Sequence, residues 1–129
     1  MQSVELVALE LSVVLFLAHV ATQTATKRAE LGQTYMMGFR DTPRAVTNVT
    51  AARAERALAN FLENYPAFIA LDLALIVTAH TGGWGASLWI AARIAYLPIY
   101  VAGVPIARTV CWGLGILALL LMLVRLAGF

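Results

Sequence analysis

Four runs of mostly apolar residues, each long enough to cross a bilayer, constrain this chain more than any other feature. A spanning helix needs about 20 such residues, and the runs fall at about residues 4–25, 51–80, 84–101 and 106–126. Of the 129 residues, 61% are hydrophobic and 12% charged. That leaves too little polar surface to clothe a water-soluble globule, so the membrane is the expected solvent. No linker and no repeat of fixed period divides the chain, which predicts a single domain over residues 1–129. The opening MQSVELVALE is acidic and carries no small-residue cleavage site, so it reads as a retained first span rather than a signal peptide.

The connections fix how these spans are arranged. Residues 27–50 mix charges, Gly32, Pro43 and a Thr/Asn cluster, the composition of an exposed loop. Thr81, Gly82 and Gly83 make a tight turn, so the second and third spans are expected to form an antiparallel hairpin. Trp84 and Trp89 there suit a membrane interface. Gly103 and Pro105 break the chain again, with Pro105 where proline is tolerated at a helix start. The predicted fold is therefore all-α, an integral membrane four-helix up-down bundle. Lys27, Arg28, Arg40, Arg44, Arg53, Arg56 and Arg108 lie on one side of it. By the positive-inside rule that side is cytoplasmic, with both termini and the Gly82/Gly83 turn outside: in a bacterium, an inner-membrane protein with periplasmic termini.

Several function classes are excluded. A net charge of +2 without a basic patch gives nucleic acid nothing to bind. The single cysteine, Cys111, allows neither an internal disulfide nor a cysteine cage, and reads as a packing residue in an apolar helix. His19 and His80 stand alone, without ligand spacing, so no metal site is expected. Gly113 and Gly115 are expected to let helices approach closely.

Two polar stripes remain. Arg53, Arg56, Asn60 and Glu63 recur every three or four residues and share one face of the second helix; they form either a solvated interfacial turn with ordinary ion pairs or part of a site. Arg93, Tyr96 and Tyr100 share a face of the third helix inside the bilayer, where arginine is costly. Arg93 either faces a polar cavity or pairs with Asp72, which a hairpin folded about Gly82/Gly83 brings to similar depth. Arg108 opens the fourth helix, where the dipole already disfavours a cation. It serves there either as an anion-holding group or as an arginine snorkelling to headgroups. Arg28, Arg56, Asn60, Glu63, Tyr100 and Arg108 are all predicted at the same end of the bundle.

The segment Arg56-Ala-Leu-Ala-Asn60-Phe-Leu-Glu63-Asn-Tyr-Pro66 resembles the second-helix signature of the MAPEG family, membrane-associated proteins in eicosanoid and glutathione metabolism. Arg93-x-x-Tyr96-x-x-x-Tyr100 followed by Arg108 is similar to the third- and fourth-helix pattern of its cysteinyl-leukotriene synthase branch. The chain departs from that branch at Leu58 and Asn64, and its gap from Tyr100 to Arg108 is longer. The resemblance implies a homotrimer binding glutathione between subunits through Arg56, Asn60, Glu63, Arg93, Tyr96 and Tyr100. It also implies that Arg108 stabilises the thiolate and that Arg28 assists the acceptor substrate. The expected activity is glutathione transfer or peroxide reduction on a lipophilic electrophile. The alternative is a non-catalytic lipid-binding or scaffold member. A channel is disfavoured, because the outer half of the bundle offers few polar residues.

Overall fold

A computed structural model describes residues 1–129 and contains helices α1 (Val4–Leu31), α2 (Gln33–Met37), α3 (Val49–Val77), α4 (Gly85–Ala102) and α5 (Pro105–Leu126). All but α2 are long and apolar enough to cross a membrane, and the chain is an integral, multi-pass membrane protein. The four long helices run up and down. Both termini and the 78–84 connection lie at one end, hereafter the turn end. The 32–48 segment and the α4–α5 connection lie at the other, the loop end. The backbones of α1 and α5 do not come together, so they occupy opposite corners of the bundle.

The core follows from spacing. On α3 the residues Ala54, Ala57, Phe61, Tyr65, Phe68, Asp72 and Leu75 recur every three or four positions and are all buried. Phe68 stacks on Trp89 of α4 with ring centroids 4.0 Å apart, and Tyr65 lies 6.2 Å from the same ring. Such aromatic pairs contribute about 0.5–1.5 kcal/mol each beyond area burial. Between α1 and α3 the Ser12 and Tyr65 hydroxyls meet at 3.0 Å, His19 packs on Phe61, and Lys27 pairs with Glu55 at 3.4 Å. Residues facing outward on α1 and α5, among them Val14, Leu17, Leu117 and Leu120, are large and apolar, as lipid requires.

The structure moves several expected boundaries. α1 does not stop near residue 25. The segment Lys27-Arg-Ala-Glu-Leu31 consists of good helix formers and continues the helix until Gly32, at φ 88°, ends it. At about 1.5 Å per residue this 28-residue helix is about 42 Å long, so its polar last turns project beyond the roughly 30 Å hydrocarbon layer. The 27–50 loop is therefore shorter than its composition suggests and holds the short α2. The second span ends at Val77 rather than His80.

The 78–84 connection is not a tight turn but folds back over the bundle end. Gly82 lies against Leu75, so closely that an added Cβ would come within 2.9 Å of its side chain, and its N–H donates to the buried Glu5 carboxylate at 2.8 Å. This fold-back shifts the hairpin register and removes the Asp72–Arg93 pair, one of the two alternatives the sequence leaves for Arg93. Phe68 is level with Trp89, Asp72 lies a turn beyond it toward the turn end, and Arg93 a turn the other way. The two are therefore separated along the bundle by about 11 Å. Asp72 is fully buried with neither carboxylate oxygen partnered. The same register carries Trp89 into the core, leaving only Trp84 exposed at the interface. Gly115 is buried, with an added Cβ in ordinary contact with the Arg93 side chain, whereas Gly113 has open space beside it, so neither is needed for a close helix approach.

Candidate functional site

Arg93 is the least expected group inside the bundle. It is 1% exposed, and its Nη1 donates to Asn60 Oδ1 at 2.9 Å while Nε and Nη2 have no partner. The guanidinium is held between the rings of Trp89 and Tyr96, 5.5 and 5.2 Å from their centroids. Gly115 of α5 lies alongside, where an added Cβ would stand in ordinary contact with Nη2 at 3.5 Å. A buried cation with one amide and two rings for company stands behind Asn60 and Tyr96, not on the surface.

In front of those two residues is a cavity of about 220 Å³ lined by Asn60, Tyr96, Arg108, Thr109 and Trp112. Tyr96 is 2% exposed, and its hydroxyl, unbonded within the chain, is open at this cavity. Arg108 also lines a second cavity of about 290 Å³ with Arg53, Tyr100, Gly103, Val104 and Pro105. Neither cavity alone reaches the roughly 300–1,000 Å³ of a small-molecule site, but the two together fall within it. Arg108 lies 5.2 Å over the Tyr100 ring, whose hydroxyl accepts from Arg56 Nε at 3.2 Å. Its only hydrogen-bond partner is Thr109 Oγ1 at 3.5 Å, so most of its donors are unspent.

Local structure explains why Arg108 is presented this way. Pro105 starts α5 after Gly103, whose left-handed φ of 81° ends α4. The α4–α5 connection is thus so short that Tyr100 and Arg108 must face each other across it. Arg53 donates to Val101 O at 3.3 Å and fastens α3 to the end of α4.

Of the eight residues expected at the site, Arg56, Asn60, Arg93, Tyr96, Tyr100 and Arg108 are brought into one connected cluster. Glu63 lies a turn from Asn60 but is exposed and makes no hydrogen bond, and neither it nor Arg56 forms an ion pair. Arg28 is exposed, reaches only Gln33 at 3.5 Å, and is held away by the separation of α1 from α5. Three of the cavity-lining residues beyond that set carry polar side-chain groups: Arg53, Thr109 and Trp112. Thr109 and Trp112 follow Arg108 on α5, Trp112 four positions on and therefore on the same face, a spacing visible in the sequence. Arg53 stood in the α3 stripe without a role.

Beyond the apolar part of α1, Glu30 fixes the start of α3. Its carboxylate accepts from the Thr47 hydroxyl, from Thr47 N at 2.6 Å and from Asn48 N at 3.1 Å, which hold it below the usual carboxylate range. Asn48 in turn caps α3 through Ala51 N at 3.1 Å.

Compared with known proteins, residues 6–128 match the model of the MAPEG family, nearly the whole chain. No curated protein and no solved structure matches it.

Proposed function

The chain belongs to the MAPEG family, and from that premise we propose that it is a membrane-bound glutathione transferase or peroxidase that activates the thiol through Arg108. The family includes glutathione-dependent enzymes and non-catalytic members. The observation that carries the enzyme reading is the position of Arg108. Its guanidinium stands between two adjoining cavities with its donors largely free, beside the open hydroxyl of Tyr96.

The residues present suit the chemistry of glutathione. That molecule carries two carboxylates, an ammonium and a thiol. Arg53, Arg56 and Arg108 offer cations for the carboxylates and thiolate, and the exposed Glu63 offers an anion for the ammonium. A free thiol titrates near 8.5, so at neutral pH most of it is protonated. A fixed guanidinium beside it favours the thiolate, the nucleophilic form. Arg108 is therefore assigned the activating role, and Tyr96 donates to the same centre. Trp112, a cavity wall that is itself exposed, suits an electrophile arriving from the bilayer.

The assembly we propose is a homotrimer with the loop end cytoplasmic, as the clustered arginines there favour. A neighbouring subunit would then bring Arg28 to the site, a placement that α1 does not reach within one chain. The competing reading, a non-catalytic lipid-binding or scaffold protein, gains from the isolation of Arg28 and Glu63. Glutathione titrated into the detergent-solubilised protein, followed by turnover with a small lipophilic electrophile, separates the two. Binding with turnover that is lost in Arg108→Ala supports the enzyme. Absence of binding by an intact assembly supports the scaffold.

A further inference from the structure

At the turn end, the end of the bundle away from Arg108, α1 and α4 run parallel and leave a groove of about 350 Å³ between them. Val7 and Leu11 form one wall and Ala91 and Ile94 the other, each pair on one face of its helix. Ala8 and Ile90, both buried, form the floor. Ala8 and Ala91, with only a methyl group each, leave the space between the helices unfilled. From Val4 to Leu11 the groove follows the helix axes for about 10 Å, which fits within one leaflet of a hydrocarbon layer about 30 Å thick. Its polar residues gather at the mouth, where Gln2, Ser3 and Ser87 stand at the starts of the two helices.

That gradient, polar at the end of the bundle and apolar below, is the gradient of a lipid molecule. The walls offer water no hydrogen-bond partners, and the groove is continuous with the lipid-facing surface, since the exposed Val7 and Leu11 lead along α1 to Val14 and Leu17. A helix from a second copy does not enter it, because a cylinder about 10 Å across takes roughly twice this volume over the same length. An acyl chain lying along the membrane normal is slim enough.

The lip of the groove carries one charge. Glu10 is exposed beside Leu11, and its only hydrogen-bond partner is Gln2 Nε2 at 3.1 Å, from the mouth. The one ion pair within the chain joins Lys27 and Glu55, so no cation answers Glu10. A carboxylate on a membrane-spanning helix is costly unless it is paired, and here the partner has to come from outside the chain.

We propose that the groove holds one acyl chain of a lipid from the turn-end leaflet whose headgroup carries an ammonium, as in phosphatidylethanolamine, with the ammonium at the Glu10 carboxylate and the tail between α1 and α4. The site is independent of thiol chemistry at Arg108, which stands at the other end of the bundle.

The test reconstitutes the protein in bilayers of equal phosphatidylethanolamine and phosphatidylglycerol and counts, by native mass spectrometry, the lipids retained after mild detergent extraction. The wild type is expected to keep one ethanolamine lipid per chain and to prefer it to the anionic lipid by roughly fivefold, the effect of one charge at a membrane surface. Ala91→Phe, at an exposed position in the groove wall, fills the groove and should release the lipid with assembly intact. Glu10→Gln keeps a side chain that can bond to Gln2, and should retain a lipid without the headgroup preference. Equal retention of the two lipids by the wild type, or ethanolamine-lipid retention unchanged in Ala91→Phe, overturns the proposal. A wild type that retains no lipid, with assembly lost in Ala91→Phe, overturns it as well and assigns the groove to a neighbouring copy.

Discussion

The guanidinium of Arg108 on α5 lies 5.2 Å over the ring of Tyr100 on α4. A cation in the first turns of a helix is disfavoured by the dipole, and the electron-rich face of the ring offsets part of that cost while fixing where the charge is presented. The ring and the hydroxyl of Tyr100 have separable tasks, since the hydroxyl serves Arg56. Tyr100→Phe should therefore retain Arg108-dependent thiol activation, whereas Tyr100→Leu should lose a further two- to fivefold, about 0.5–1 kcal/mol of cation–π interaction. Thiol affinity and kcat/KM of the two variants measured side by side check this; equal losses would show that the ring does not hold the arginine.

Two glycines in the α4–α5 contact respond differently to the same substitution. A Cβ at Gly85 would lie 2.5 Å from Met122 Cγ and 3.1 Å from the Ala118 carbonyl oxygen, and a backbone atom does not move aside cheaply. Gly85→Ala is expected to destabilise by about 1–3 kcal/mol. At Gly115 the nearest group is the Arg93 guanidinium at 3.5 Å, ordinary contact, so Gly115→Ala should be tolerated. Thermal unfolding in detergent distinguishes them, and a Gly115→Ala variant less stable than Gly85→Ala would contradict the packing described.

Much of this was legible in the sequence, and the part that was not has a physical reason. Four apolar spans, the face that Arg53, Arg56, Asn60 and Glu63 share on α3 and the face that Arg93, Tyr96 and Tyr100 share on α4 follow from helical periods. The depth of Asp72 relative to Arg93 does not, because it depends on the 78–84 connection folding back until Gly82 reaches Leu75. Composition marks that segment as a turn without telling how far it climbs. For the same reason Trp89 reads as an interfacial residue but stacks on Phe68 in the core. Helix bounds near Leu31 were obscured because Lys, Arg and Glu mark both a loop and an exposed helix end. The wall residues Thr109 and Trp112 lay within reach of the periodicity but carried no charge to draw notice.

Asp72 offers a test in the opposite direction from most core substitutions. It is fully buried and its carboxyl has no hydrogen-bond partner, so its burial costs stability. Asp72→Leu, with the same branching at Cγ, should stabilise by about 1–3 kcal/mol. It stands toward the turn end, away from Arg108, and thiol binding should be unchanged. A lower unfolding temperature in the variant would mean that Asp72 is satisfied by something other than the groups around it.

Glu30 makes the start of α3 sensitive to acid. Its folded carboxyl titrates below its ordinary 4.5, so the anchoring it gives Thr47 and Asn48 is fully present above that value and is lost as the pH falls through the lowered one. Between pH 7 and 5 the 38–48 segment should keep constant resistance to proteolysis. Glu30→Gln at neutral pH should mimic the acid state, with faster tryptic cleavage after Arg40 and Arg44. Identical cleavage rates in variant and wild type would remove Glu30 as the anchor.

The central claim is that Arg108 holds a thiolate. Difference absorbance of the ultraviolet thiolate band, recorded on glutathione added to wild type and to Arg108→Ala in the same detergent, tests it most directly. The account predicts a band at neutral pH in the wild type and its disappearance in the variant, with assembly intact in both. A band of equal size in Arg108→Ala, or none in a wild type that binds glutathione, would contradict it.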